Sequence, residues 1–209
     1  DVRFTDFVIN NTSASSPTNI FRNNGIYLEK ASKAIADNVV NETSFNLRGK
    51  ESNGILIGEA GLTTSYNTLN INGGERNNAI YMDQADAKLQ DTNSTINVSS
   101  ANSSSNGIYA KTGKGVALKG TRMIVGGTAS HGSSSNISWN AHNGNNGLIV
   151  FSTMNAPVTI EHSGQRQARF TVSGDSNGVF ITQGATVAKI EGTDFSVTDN
   201  ATGILIGQD

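Results

Sequence analysis

The sequence predicts an all-β protein wound as a right-handed parallel β-helix, a β-solenoid of about seven rungs with three short strands in each. Three observations predict it. A five-residue phrase, Asn24-Gly25-Ile26-Tyr27-Leu28, returns at 53–57, 78–82, 106–110, 146–150, 177–181 and 202–206. From Gly25 through Gly54, Ala79, Gly107, Gly147, Gly178 and Gly203 the steps are 29, 25, 28, 40, 31 and 25 residues, a period that marks stacked supersecondary units. Each copy is accompanied, in the same order, by two further apolar segments. Finally, Asn, Gly, Ser and Thr dominate while charged residues make up 15% and aromatics 6%, with two prolines; that composition suits many strands joined by polar turns.

The segment before each phrase reads Phe7-Val8-Ile9, Phe45-Asn46-Leu47, Leu69-Asn70-Ile71, Ile96-Asn97-Val98, Met123-Ile124-Val125, Phe170-Thr171-Val172 and Phe195-Ser196-Val197. Most of these alternate apolar, polar, apolar, as a strand with one buried face does. The segment after the phrase includes Ala34-Ile35-Ala36, Ala87-Lys88-Leu89, Val116-Ala117-Leu118, Val158-Thr159-Ile160 and Ala188-Lys189-Ile190. Three short strands per repeat bury their inner faces only if the chain coils so that each strand lies on its counterpart one rung away. A propeller blade needs four antiparallel strands in a longer repeat, and leucine-rich repeats show a Leu/Asn spacing this chain lacks. The rungs are also too long and irregular for the hexapeptide repeats of a left-handed β-helix.

Alternation then assigns the faces. Ile26, Ile55, Ile80, Ile108, Leu148, Val179 and Ile204 form one inward ladder, and Leu28, Ile57, Met82, Val150, Ile181 and Ile206 another. The residue between them points outward and is apolar or aromatic in every copy: Tyr27, Leu56, Tyr81, Tyr109, Ile149, Phe180 and Leu205. This predicts an outward stripe along the rod, of the kind that marks contact surfaces. The phrase glycines are expected at tight bends, and the asparagines before them are placed to bond to one another along the rod.

The whole chain, 1–209, reads as a single β-helix segment. Two connections are long: the stretch between Ile9 and Asn24, and an inserted loop at 126–145 that carries His131, His142 and the only tryptophan, Trp139. The chain opens and closes within rungs and shows no polar cap, so it is read as a segment of a larger protein.

Charge and motifs narrow the function. A net charge of −2 lacks the clustered cations that nucleic acid requires. There is no cysteine, hence no disulfide framework or thiolate metal site, and no apolar run of about 18 residues that would span a bilayer. The acids are dispersed, with Asp83 and Asp86 the closest apolar-flanked pair, and they read as solvated turn charges. His131 and His142 have no third strong ligand nearby for zinc, and neither Gly73-Gly74 nor Gly126-Gly127 continues into a calcium-binding nonapeptide. No nucleotide-binding loop is present, and no catalytic residue, metal or cofactor is expected.

In its irregular repeats, its Asn-Gly-Ile-Tyr/Leu strands, its Asn/Ser/Thr/Gly bias and its lack of cysteine, the sequence resembles the passenger region of a bacterial autotransporter of the adhesin kind. It lacks the Gly-Asp-Ser-Gly motif of the serine-protease branch. The resemblance implies a non-enzymatic β-helix at the bacterial surface or released from it, which binds a host cell-surface protein or glycan, or associates with itself. The expected contact residues are Trp139, His131 and His142 of the long loop, together with Tyr27, Tyr81, Tyr109 and Phe180 of the stripe. A polysaccharide-degrading β-helix enzyme and a non-binding spacer stalk are the alternatives.

Overall fold

The structure, a computed structural model, describes residues 1–9, 23–29, 38–49, 51–73, 76–99, 105–127, 144–154, 156–182, 184–185 and 189–207. The first coil holds β1 (Val2–Arg3), β2 (Asp6–Ile9) and β3 (Asn24–Leu28), and the second β4 (Asn38–Asn41), β5 (Ser44–Leu47) and β6 (Asn53–Ile57). The third holds β7 (Gly61–Ser65), β8 (Thr68–Asn72) and β9 (Asn78–Asp83), and the fourth β10 (Lys88–Thr92), β11 (Thr95–Ser99) and β12 (Asn106–Thr112). The fifth holds β13 (Val116–Lys119), β14 (Arg122–Gly126) and β15 (Asn146–Val150), and the sixth β16 (Val158–Glu161), β17 (Ala168–Val172) and β18 (Asn177–Thr182). The seventh is β19 (Lys189–Ile190), β20 (Thr193–Val197) and β21 (Thr202–Gly207).

Every third strand joins the same sheet, giving three seven-stranded sheets in which all neighbours run parallel. This is the parallel β-solenoid that the repeats predict. Since β1 and β19 are only two residues long, full coils run from the second to the sixth and the end coils are thinner. Among the described residues no helix is long and apolar enough to cross a membrane.

The inward ladders stack in register. Ile55 lies between Ile26 and Ile80, and the column continues through Ile108, Leu148 and Val179 to Ile204. A side chain of this size stabilises the fold by roughly 1.5–3 kcal/mol when fully buried, and one continuous cluster collects the inner faces of all three sheets. Aromatic rings extend the stacking where the second sheet carries them, with Phe7 on Phe45 at 4.8 Å and Phe170 on Phe195 at 5.0 Å. At the last coil Val197, Ile204 and Ile206 are exposed.

The phrase asparagines form the expected ladder. Each side-chain amide donates to the carbonyl oxygen of the asparagine before it: Asn53 to Asn24, Asn78 to Asn53, Asn106 to Asn78 and Asn146 to Asn106, all at 2.9 Å, and Asn177 to Asn146 at 3.0 Å. The residue before each asparagine supplies a second polar row, in which Ser52 N–H donates to Asn77 Oδ1, Asn77 N–H to Ser105 Oγ and Ser105 N–H to Asn145 Oδ1. Backbone donors at this corner turn away from their sheets, and these side chains satisfy them inside the rod.

Three local expectations change. The phrase glycines are not bends with positive φ; those angles fall elsewhere, as at Glu51 (φ 54°) and Arg76 (φ 55°). At Gly25, Gly54, Gly107, Gly147 and Gly178 a β-carbon would lie 2.5–2.8 Å from the carbonyl oxygen of the equivalent residue one coil on, so the constraint is close approach. Ala79, buried at the same place in the third coil, shows that the smallest side chain is admitted. Next, the first-sheet strand of the second coil is β4 around Val40, while 34–36 lie outside the described residues. Lastly, β7, with Leu62 buried, is a strand that the apolar pattern passed over, because Leu62 is followed by three hydroxyl residues.

The corner between the first and second sheets is also bonded from coil to coil. One residue per coil takes a left-handed conformation there, including Glu42, Tyr66, Asn93 and Gly120. The connection between β16 and β17 is longer and folds back over this corner as a strap. Its Ser163 hydroxyl donates to Asn93 Oδ1 at 2.6 Å, and Gln165 Oε1 accepts from the Tyr66 hydroxyl at 2.7 Å. Arg166 donates from Nε to Gly120 O at 2.6 Å and from Nη2 to Ser94 O at 2.5 Å. A β-carbon at Gly120 would collide with Asn93 Oδ1 and Ser163 Oγ, so glycine is what lets the strap seat. Beneath it Asp91 is buried, accepting from the hydroxyls of Thr64 and Thr121. Burial pushes the Asp91 carboxyl pKa up, and the bonds from Ser94, Thr121 and Thr64 offset part of that rise.

Candidate functional site

Where each expected contact residue lies decides what this rod offers a partner. Trp139, His131 and His142 lie outside the described residues. The roots of their loop are described, and Asn145 ties them together: its side-chain amide donates to Gly126 O at 2.8 Å while its Oδ1 accepts from Ser105 N–H. The insertion therefore leaves the rung through a closed neck.

Tyr27, Tyr81, Tyr109 and Phe180 do share one outward column of the third sheet, in register with Leu56, Ile149 and Leu205. The column is not the continuous exposed stripe that alternation predicts. Tyr27 is 52% exposed, whereas Leu56 is 2%, Tyr81 4%, Ile149 3% and Phe180 0%. Tyr81 stacks on Tyr109 at 5.0 Å, and Phe151, just past the end of β15, tilts onto Tyr109 at 4.9 Å. Ile149, Phe151 and Phe180, with Tyr109 and Leu205 packed against them, form a second apolar cluster outside the main core. Period-two alternation gives the direction of a side chain from the core; it carries no information on what later folds over it.

The column opens only at its first coil, at Tyr27. There a groove of about 230 Å³ is lined by Tyr27, Leu56 and Tyr81, by Ile57 and Gly58, and by Glu29, Glu59, Asp83 and Gln84 where the strands end. Gly58 allows the chain to turn tightly, its N–H donating to Leu28 O at 2.7 Å while a β-carbon would lie 2.6 Å from the same oxygen. Asp83 accepts from the Tyr81 hydroxyl at 3.1 Å, from Lys111 Nζ at 2.9 Å and from the Thr112 hydroxyl at 3.1 Å. Lys111 reaches it through a bulge: Ala110 pairs with Met82 and Thr112 with Asp83, which leaves Lys111 as the extra residue. Burial, then the Asp83 and Tyr109 neighbours, push the Tyr81 phenol pKa well above its ordinary value, so the hydroxyl remains a donor at physiological pH.

Asp83 and Asp86, the pair nearest to a dyad, each bridge to a lysine of the following coil, Lys111 and Lys114. Among the described residues no three His, Asp or Glu side chains gather as a metal site. The groove floor was legible, because Tyr27, Leu56 and Tyr81 belong to the repeated phrase. Of its acidic rim only Asp83 was singled out, as a turn charge, although Glu29, Glu59 and Asp83 all fall one to two residues past the phrase's last core position. Comparison with protein-family models, with curated proteins and with solved structures finds no match to this chain.

Proposed function

We propose that this chain is a recognition segment of an autotransporter-like passenger, an extracellular or surface-displayed β-solenoid that binds a partner without transforming it. The observation that carries the reading is the groove beside the exposed Tyr27 ring, with Leu56 and Tyr81 buried beneath it. It is a preformed concavity on a rigid sheet, with an aromatic ring at the mouth and polar acceptors at the rim, the usual make-up of a binding site. Leu56, Tyr81, Ile149 and Phe180 of the same column are buried and Tyr109 and Leu205 partly so, so the exposure of Tyr27 is not a general property of the repeat. The lysine partners of Asp83 and Asp86 disfavour the polysaccharide-cleaving alternative, and a spacer stalk has no use for the groove. The long loop, closed at its neck by Asn145, is the second contact element.

The test is attachment of the labelled chain to target cells or a solid-phase receptor. Tyr27→Ala is expected to weaken attachment by about 30-fold, the loss of one aromatic hot spot, with the far-UV circular dichroism unchanged. Replacing 127–144 with a short Gly-Ser turn is expected to weaken it too and to leave the rod folded. If Tyr27→Ala binds as the parent does and only the loop replacement fails, recognition belongs to the loop and not to the groove.

A further inference from the structure

We infer that the strap is a latch: when seated it joins the third to the sixth coils into one cooperative block, and the first two coils and the last open separately from that block. The connection from the first sheet to the second has two residues in every other coil, as at Glu42-Thr43, Tyr66-Asn67, Asn93-Ser94 and Gly120-Thr121, but six in the sixth, 162–167. The excess is Ser163-Gly164-Gln165-Arg166, the strap itself. It is a closed turn in its own right, with Ser163 N–H donating to Arg166 O at 2.9 Å, Arg166 N–H donating to Ser163 Oγ at 3.0 Å, and Gly164 in a left-handed conformation at φ 66°. A turn already closed loses little conformational entropy when it seats. Gly164 and Gln165 are exposed, so the turn lies on the outside of the rod and lifts without disturbing the core.

In a solenoid each coil bonds to its neighbours, so a rod can part at any junction and its stability is a sum of local contributions. The strap departs from that rule. From the sixth coil it reaches the fifth through Arg166 Nε to Gly120 O, and the fourth through Ser163 Oγ to Asn93 Oδ1 and Arg166 Nη2 to Ser94 O. It reaches the third through Gln165 Oε1, which accepts from the Tyr66 hydroxyl across 99 residues of chain. The two Arg166 bonds are charge-assisted and belong to the stronger class. While these bonds hold, no junction between the third and sixth coils parts without breaking at least one of them. Among the described residues no hydrogen bond of 163–166 reaches the first, second or seventh coil.

The experiment is native-state hydrogen exchange of the whole chain, followed by NMR at increasing low urea. The parent is compared with a variant lacking 163–166, whose His162-Gln167 connection has the two residues of the other coils, and with Gln165→Ala/Arg166→Ala, which keeps the turn. The reporters are the amides that open the third-sheet strands, at a corner the strap does not touch, each bonded to the coil before: Asn53, Asn78, Asn106, Asn146, Asn177 and Thr202. In the parent Asn106, Asn146 and Asn177 are expected to exchange through one common opening with one urea dependence, more slowly than Asn53, Asn78 and Thr202. In both variants that common opening should split, and Asn106 should exchange about tenfold faster although it lies two coils from the altered residues. Arg169→Ala, which removes an exposed ion pair of the same coil, should leave it unchanged. Acceleration confined to the amides of Tyr66, Asn93, Ser94 and Gly120 would reduce the strap to local bonds and overturn the inference. Independent exchange of Asn106, Asn146 and Asn177 in the parent would overturn it as well. Should the shortened chain lose its far-UV circular dichroism, the double substitution decides by the same criterion.

Discussion

The two ends of the aromatic column on the third sheet are written with the same phrase and end up in opposite environments. At Tyr27 the ring is 52% exposed and opens onto a groove, while at Phe180, five coils later, it is fully buried. The strands do not differ, since both follow Asn-Gly and both sit in register with their neighbours. What differs is the chain just beyond the strand. After β15 comes Phe151, whose ring closes over Tyr109 and packs with Ile149 and Phe180. After β3 comes Glu29, itself exposed, and Tyr27 stays open, although Leu56 in the next coil is already buried. In a solenoid the repeat therefore builds the face, and the short turns decide whether that face becomes core or contact surface.

The comparison can be broken most directly by stability measurements. Phe180→Ala should lower the free energy of unfolding by about 3–5 kcal/mol, as for a large core side chain, whereas Tyr27→Ala should stay within about 0.5 kcal/mol of the parent. Equal losses in urea denaturation would erase the distinction between the two ends. Next in size is the ladder. Asn106→Ala strands the Asn146 donor and the Asn78 acceptor in the interior and should cost about 2–3 kcal/mol, while Asn24→Ala, at the half-buried start of the ladder, should cost less.

Smaller effects sharpen a parallel contrast between the strapped corner and the open groove. Arg166→Ala removes two charge-assisted bonds across coils and should cost about 1–2 kcal/mol. Arg169→Ala, whose exposed pair with Asp194 spans 3.3 Å, should cost under about 0.5 kcal/mol. Asp91 beneath the strap adds a pH signature. Its carboxyl pKa is raised above the ordinary value of 3.8, so its contribution to stability is fully present below that value and is lost as pH rises through the raised one. The urea midpoint of the parent minus that of Asp91→Asn should fall with rising pH over this range. A difference that stays constant or grows would contradict the assignment.

Most of the architecture was legible because its causes are local and repeat. Alternation within each apolar segment set the inward ladders, and the return of Asn at one position in six of the seven copies announced a ladder that only stacking can satisfy. Asp91 was equally legible in principle: it lies two residues from Leu89 and so shares its inward face, but a lone acid reads as a turn charge until Thr64 and Thr121 are seen to flank it. The strap was not legible. Nothing in Ser163-Gly164-Gln165-Arg166 says that it reaches back to Tyr66, because that contact depends on the stacking of coils and not on any sequence neighbour. The groove falls between these cases, its aromatic floor written in the phrase and its openness decided by side chains outside it.

The central claim, that one column is open at its start and closed along its length, is tested most directly by hydroxyl-radical footprinting of the intact chain with residue-level mass spectrometry. Tyr27 should react fast, at a rate close to that of the equally exposed Tyr66 (51%). Tyr109 should be slower, and Tyr81 and Phe180 should be strongly protected. Labelling of Tyr81 and Phe180 at the rate of Tyr27 would contradict the account, for the column would then be open along its whole length and the groove would be no special place.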